Sequence, residues 1–293
     1  MKNKIHQHSR EWIIDIVIYF IVGLIALLCI IPFIYVIVAS FTPPAILAKQ
    51  RFILIPQGFT LEAYQYVFTT RTLMQALSVS ARLTIFGTIF NIIMTVLFAY
   101  PLSHTRIKGR SIILFLVTFT MMFSGGIIPE YMIIQKMGLM NSMAALILPG
   151  AISTFNFVIF RNYFQNLPAE LEESAMIDGA GYTRILFLII LPISMPLIAT
   201  FVVMYGVGIW NAWFNATLYI NDSAKWPIQV ILRLITNVSM GIGNTMEMES
   251  NIMIPPESVR MCTIVVATVP ILIVYPFMQK YFTKGILLGS VKG

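Results

Sequence analysis

The sequence predicts an all-α polytopic membrane protein crossed by six transmembrane helices, and two observations carry that prediction. Of 293 residues, 58% are hydrophobic and only 11% charged, against about 25% charged in a soluble domain. Such a chain lacks the polar surface to sit in water. Its apolar residues are also gathered into runs near the roughly 20 residues that a helix needs to cross the hydrocarbon core. The net charge of +7 comes from short basic clusters between those runs. They form no continuous basic face that could follow a phosphate backbone, so no nucleic-acid partner is expected and membrane lipid is.

Six segments qualify as spans: about 13–40, 77–102, 111–133, 143–163, 193–217 and 259–281. The first is longer than the apolar region of a signal peptide and reads as a retained span. The fourth, AALILPGAISTFNFVIF, is interrupted by Pro149, Gly150 and several polar residues. Such breaks are tolerated where neighbouring helices re-satisfy the backbone, which favours a bundle-facing or pathway-lining position. Pro270 and Pro276 predict a bent sixth span. Cys29 and Cys262 both lie within apolar runs and read as small packing residues. The whole chain, 1–293, is expected to form a single transmembrane domain.

Basic residues in the short connections set the orientation. Lys2, Lys4 and Arg10 precede the first span, Arg106, Lys108 and Arg110 follow the second, and Lys280, Lys284 and Lys292 follow the sixth. In a six-span arrangement all three clusters fall on one side, which the positive-inside rule makes cytoplasmic. Both termini are therefore expected in the cytoplasm. Arg82 then lies just inside the outer end of the second span, where it is expected to snorkel, and Glu130 is expected at the outer surface.

The loop at about 168–192, between spans four and five, has an unusual composition. Pro168 suits the first turn of a helix, and Glu170, Glu172 and Glu173 favour the positive end of its dipole. That helix is expected to run to about Ile177, where Asp178-Gly179 breaks it. A second helix from about Thr183 leads toward Leu191-Pro192. Ser174, Ala175, Gly179, Ala180 and Gly181 form a small-residue surface that admits close approach of another backbone. An amphipathic loop lying at the headgroups is the alternative, and acidic residues facing an anionic leaflet count against it.

Trp210, Asn211, Trp213 and Asn215 combine aromatic faces and amides suited to a sugar, or else form an interfacial aromatic belt. Tyr131, Asn156 and Tyr205 are weaker candidates for a translocation path, with helix packing as their alternative. The chain has no G-x-x-x-x-G-K-[ST], H-E-x-x-H or G-x-S-x-G pattern, so no catalytic residues and no metal or cofactor site are assigned to it. His6, His8 and His104 all lie outside the expected spans.

The 168–192 loop resembles the EAA loop of ABC importer permeases: E-A-A, then Gly, then nine residues and I-x-L-P. Here Glu173-Ser174-Ala175 is followed by Gly179 and, after nine residues, by Ile189-Ile190-Leu191-Pro192. Ser174 in place of the first Ala is the one departure. The Asp178-Gly179-Ala180 continuation, Trp210-Asn211-Ala212-Trp213-Phe214 and the Lys284-Gly285-Ile286 to Val291-Lys292-Gly293 ending are similar to maltose-type sugar permeases. The stretch FSGGIIPEYMIIQKMGLMNSMAALILPGA at 123–151 is similar to the subgroup for complex oligosaccharides of the aldouronate, oligogalacturonide and alginate type.

That resemblance implies a type I ABC importer permease fold in a bacterial plasma (inner) membrane, importing carbohydrate, with an oligosaccharide as substrate. It implies a homologous second permease, two ATP-binding subunits that hold ATP and Mg, and an extracellular or periplasmic solute-binding protein. Glu173, Ser174, Ala175, Asp178, Gly179 and Ala180 would then contact an ATPase subunit. The segment at about 238–257 would match the maltose-family loop that enters the binding protein, and Gly289 to Gly293 the tail that reaches the ATPases. A secondary transporter or channel acting without an ATPase is the rival. It predicts an ionisable coupling residue deep in a span, and the expected span centres hold no obvious acidic candidate.

Overall fold

The computed structural model describes residues 2–50, 52–239 and 256–290, with side chains described outside 2–11, 13, 238–239, 256 and 277–290. The described residues are helices and connecting turns, with no strand among them. They divide into two compact units, one of residues 1–70 with 234–266 and one of 71–233 with 267–293.

In the first unit, α1 (Lys2–Ser40) carries an apolar stretch, Ile14–Ser40, with outward-facing side chains along most of its length. In an all-helical membrane protein such a surface is solvated by lipid or by other helices. The short α2 (Pro44–Leu47) and the helix α3 (Glu62–Thr69) follow. Ala39, Leu47, Ile53 and Met261 form a small core. Phe41 stacks between Phe59 and Tyr64, and the Tyr64 hydroxyl lies 2.8 Å from Ser40 Oγ. Burial raises the pKa of Tyr64, and the Ser40 contact partly offsets that rise. Cys29 is exposed on α1 and Cys262 is buried, both as free thiols.

The second unit is built around α4 (Arg71–Ser103), a 33-residue helix that contains the expected second span. The expected third and fourth spans are not single straight helices. The third divides into α5 (Arg110–Met122) and α6 (Ile127–Lys136), which meet at 120°. Gly126 in the break has φ +85°, a conformation glycine adopts without a Cβ penalty. The fourth expected span resolves into α7 (Ala144–Ile147) and α8 (Thr154–Gln165), separated at Pro149-Gly150. Twelve residues reach about 18 Å as a helix, short of the roughly 30 Å core.

The loop helix α9 (Glu170–Ile177) follows, then α10 (Tyr182–Ile185), a π-helical turn at Leu186–Ile190 and α11 (Leu191–Ile193). The stretch Tyr182–Ile193 bends by 81° into α12 (Met195–Trp210). Next come α13 (Phe214–Tyr219), α14 (Ile228–Ser239) and α15 (Pro256–Ser290), whose apolar part is Glu257–Pro276. Among the described residues, three helices are long and apolar enough to cross a membrane, or up to five spans if each bent pair counts as one. Among the described residues α1, α4 and α15 are each long enough to span alone, the expected third span is bent, and the expected fourth span is broken at Pro149-Gly150. Glycine, proline and serine at the breaks are the physical reason.

One core holds the second unit together. Val96, Ala99 and Tyr100 from α4, Phe157, Phe160 and Phe164 from α8, and Phe201 and Tyr205 from α12 are buried in it. Ala175, Ile185, Leu186 and Ile190 enter the same core from the 168–192 loop. Close helix approach supports this packing: a Cβ at Gly87 of α4 would stand 2.9 Å from Ile209 Cδ1 of α12.

Candidate functional site: the 168–192 loop and the end of α12

The acidic first turn of α9 places Glu170, Glu172 and Glu173 where unsatisfied N–H groups and the helix dipole favour anions. Its other end closes as the sequence predicts. Gly179 has φ +80°, its N–H donates to Met176 O at 3.0 Å, and the Ala180 N–H donates to Ala175 O at 2.9 Å. This paired six-to-one and five-to-two pattern is a Schellman closure, which needs a left-handed residue at the Gly179 position.

The loop has two faces. Ala175 is buried, and Ala180 packs against the same core. Glu173, Ser174, Ile177, Asp178 and Gly179 face outward. Nothing lies within 4 Å of a Cβ built on Gly179. Ile177 is 87% exposed, an apolar side chain held away from its own chain's core.

Glu172 plays a separate part. Tyr100 Oη donates to its Oε1 at 3.0 Å, and His104 Nε2 lies 2.8 Å from its Oε2. The His104 ring also meets Tyr100 and Tyr182 edge-on. Tyr100 is buried in the last turn of α4, so the carboxylate ties α9 to that helix. A cavity of about 720 Å³ opens here, with Tyr100, His104, Arg106, Glu172, Glu173 and Tyr182 in its wall. The sequence reading did not assign Tyr100, His104 and Tyr182 to this site. Their spacing from Glu172 in the chain, 72 residues for Tyr100, leaves no local signal.

The aromatic and amide residues late in the chain separate into distinct settings. Trp210 is buried, and its indole N–H donates to Ala267 O at 3.0 Å, holding α12 to α15. Trp213 is half-buried with the Arg233 guanidinium 3.8 Å from its ring centroid. Gln229 Nε2 donates to Asn211 Oδ1 at 3.4 Å, and Asn215 is exposed on α13. Asn156 is buried in the first turn of α8, where its N–H is capped by Ser153 Oγ. Tyr205 Oη lies 2.8 Å from Thr95 Oγ1 and accepts from the Ser153 N–H at 3.2 Å.

Tyr131 faces the ring of Tyr219 at 6.3 Å. Burial, followed by the nearby Glu130 carboxylate, raises the pKa of Tyr219. Arg82 is exposed, and its Nε donates to Ser78 O one turn back along α4. The 238–257 segment falls almost wholly outside the described residues, and so does the end of the Gly289–Gly293 tail.

The chain is 49% identical to the polygalacturonan/rhamnogalacturonan transport system permease protein YtcP of Bacillus subtilis, over 97% of this chain and 100% of that one. It belongs to the carbohydrate ABC-transporter permeases. The permease is also 46% identical to protein LplC of Bacillus subtilis, over 98% of both chains. Its fold matches a chain in the crystal structure of a bacterial ABC transporter involved in the import of the acidic polysaccharide alginate. There the TM-score is 0.86 at 30% identity, over 92% of the permease and 96% of that chain. No protein-family model matches the permease.

Proposed function

We propose that the permease forms half of the translocation path of an ATP-driven bacterial importer for an oligosaccharide, and that its 168–192 loop is the lever an ATPase subunit moves. The observation that carries this reading is the two-faced loop. Its inner face, Ala175, Ile185, Leu186 and Ile190, is part of the core that holds α4, α8 and α12. Its outer face presents Glu173, Ser174, Ile177, Asp178 and Gly179. A force applied outside therefore reaches the spans through close-packed side chains, as alternating access requires.

In this reading Glu173, Ser174, Asp178 and Gly179 contact the ATPase, while Ala175 and Ala180 let the loop sit close to its own core. Two ATPase subunits bind ATP and Mg, a homologous permease supplies the other half of the path, and a solute-binding protein delivers the sugar. The loop and both termini lie on the cytoplasmic side of the plasma membrane. An oligosaccharide cargo is supported by the polygalacturonan, rhamnogalacturonan and alginate named for similar proteins. Trp213, Asn211 and Asn215 are the path-facing candidates in the described residues.

The test is detergent pull-down of the permease with its partners, followed by reconstitution and measurement of ATP-driven oligosaccharide uptake. Co-purification of an ATPase and uptake that stops without ATP are expected. Uptake by the purified permease alone, with no ATPase, overturns the reading in favour of a secondary transporter.

A further inference from the structure

The second unit also places a guanidinium beside sugar-compatible groups. Arg233 and Gln229 stand one turn apart on α14, so they share a helix face. Arg233 is exposed, with its guanidinium 3.8 Å from the Trp213 ring centroid. Gln229 bonds Asn211, two residues before that tryptophan. Arg82, Arg110 and Arg161 direct N–H groups to backbone carbonyls, and Arg260 pairs with Glu257. No carboxylate lies within ion-pair distance of Arg233 among the described residues.

We infer that Arg233, with Trp213, Asn211 and Gln229, forms a subsite for the carboxylate of an acidic sugar. The chemistry follows from the groups. Stacking on an indole holds a guanidinium without neutralising its charge. Its N–H fork matches a carboxylate in two parallel bonds, a geometry that lysine cannot reproduce. The amides of Asn211 and Gln229 supply donors and acceptors for ring hydroxyls. A neutral sugar could accept N–H bonds but would leave the charge uncompensated, whereas each uronate unit of a polygalacturonan or alginate chain carries one carboxylate. This subsite rests on the oligosaccharide-importer reading and narrows its substrate to uronates.

The assembled importer, with its second permease, ATPases and binding protein, tests the subsite in proteoliposomes. Uptake of a galacturonate oligomer is compared with uptake of its methyl ester, which has the same length and no charge. Wild-type uptake of neither compound counts against the oligosaccharide reading itself, before any variant is made. Arg233→Gln is expected to lower uptake of the acid at least tenfold more than that of the ester, and Arg233→Lys to restore part of it. Recovery of intact complex by pull-down shows that each variant folds and assembles. Unchanged uptake of the acid in Arg233→Gln overturns the subsite. An equal loss for both compounds, which a packing or binding-protein contact would give, overturns it as well. A loss abolished by replacing anionic with zwitterionic lipid assigns the guanidinium to headgroups and likewise overturns it.

Discussion

His104 Nε2 lies 2.8 Å from Glu172 Oε2, while Tyr100 Oη donates to the other oxygen of the same carboxylate. Two groups at one end of α4 thus hold a single side chain of α9. Glu173, the next residue, faces outward. Neighbouring glutamates therefore have different jobs, one bracing the loop and the other available to a partner.

Glu172→Ala removes the acceptor and leaves the buried Tyr100 hydroxyl without it. A loss of about 1–3 kcal/mol is expected, read as a lower unfolding midpoint of the purified permease, together with weaker uptake. Glu173→Ala is expected to change stability by less than about 0.5 kcal/mol while weakening ATPase recovery in pull-down.

Gly179→Ala meets no steric obstacle, since no atom lies within 4 Å of the added carbon. Its cost is the left-handed backbone alone, about 1–2 kcal/mol. Thermal unfolding should show that loss, and Gly179→Val, with a β-branched side chain at positive φ, should exceed it.

Gly87 is the converse case, because its constraint is space and not backbone angle. A Cβ there would come within 2.9 Å of Ile209 Cδ1 and 3.5 Å of Ile147 Cγ1. Ile209 can shift slightly for Ala, but Gly87→Leu forces α4 and α12 apart. An overpacking cost of about 1–3 kcal/mol is expected, measured as loss of folded, monodisperse protein on heating.

Trp210→Phe keeps a large ring in the core but deletes the bond to Ala267 O. A destabilisation of about 0.5–1.5 kcal/mol is expected, with the sugar concentration at half-maximal uptake unchanged. A shifted half-maximal concentration at normal stability would instead place Trp210 on the path.

Much of the loop was legible in the sequence because its signals are local. Glutamates opening a short helix and Asp178-Gly179 closing it describe one turn at each end, and the structure reproduces both. The long apolar runs of α1, α4 and α15 were legible for the same reason. The bends of 120° and 81° were not, because hydropathy counts apolar residues without regard to direction. Ser124-Gly125-Gly126 lets the chain turn by 120°, and Ser194 marks the 81° bend before α12. The Tyr100–His104–Glu172 brace and the Arg233–Trp213 stack were hidden because each joins distant segments. Neither has a spacing that a linear pattern could reveal.

The central claim is that the outer face of the 168–192 loop receives the ATPase. Ile177 tests it most directly, being 87% exposed and absent from the core. ATP-driven oligosaccharide uptake should be measured for the reconstituted importer carrying Ile177→Asp, alongside pull-down of the ATPase and the second permease. The account predicts that the ATPase is lost from the complex, the second permease is retained and uptake falls at least tenfold. Wild-type uptake with the ATPase still bound would contradict it.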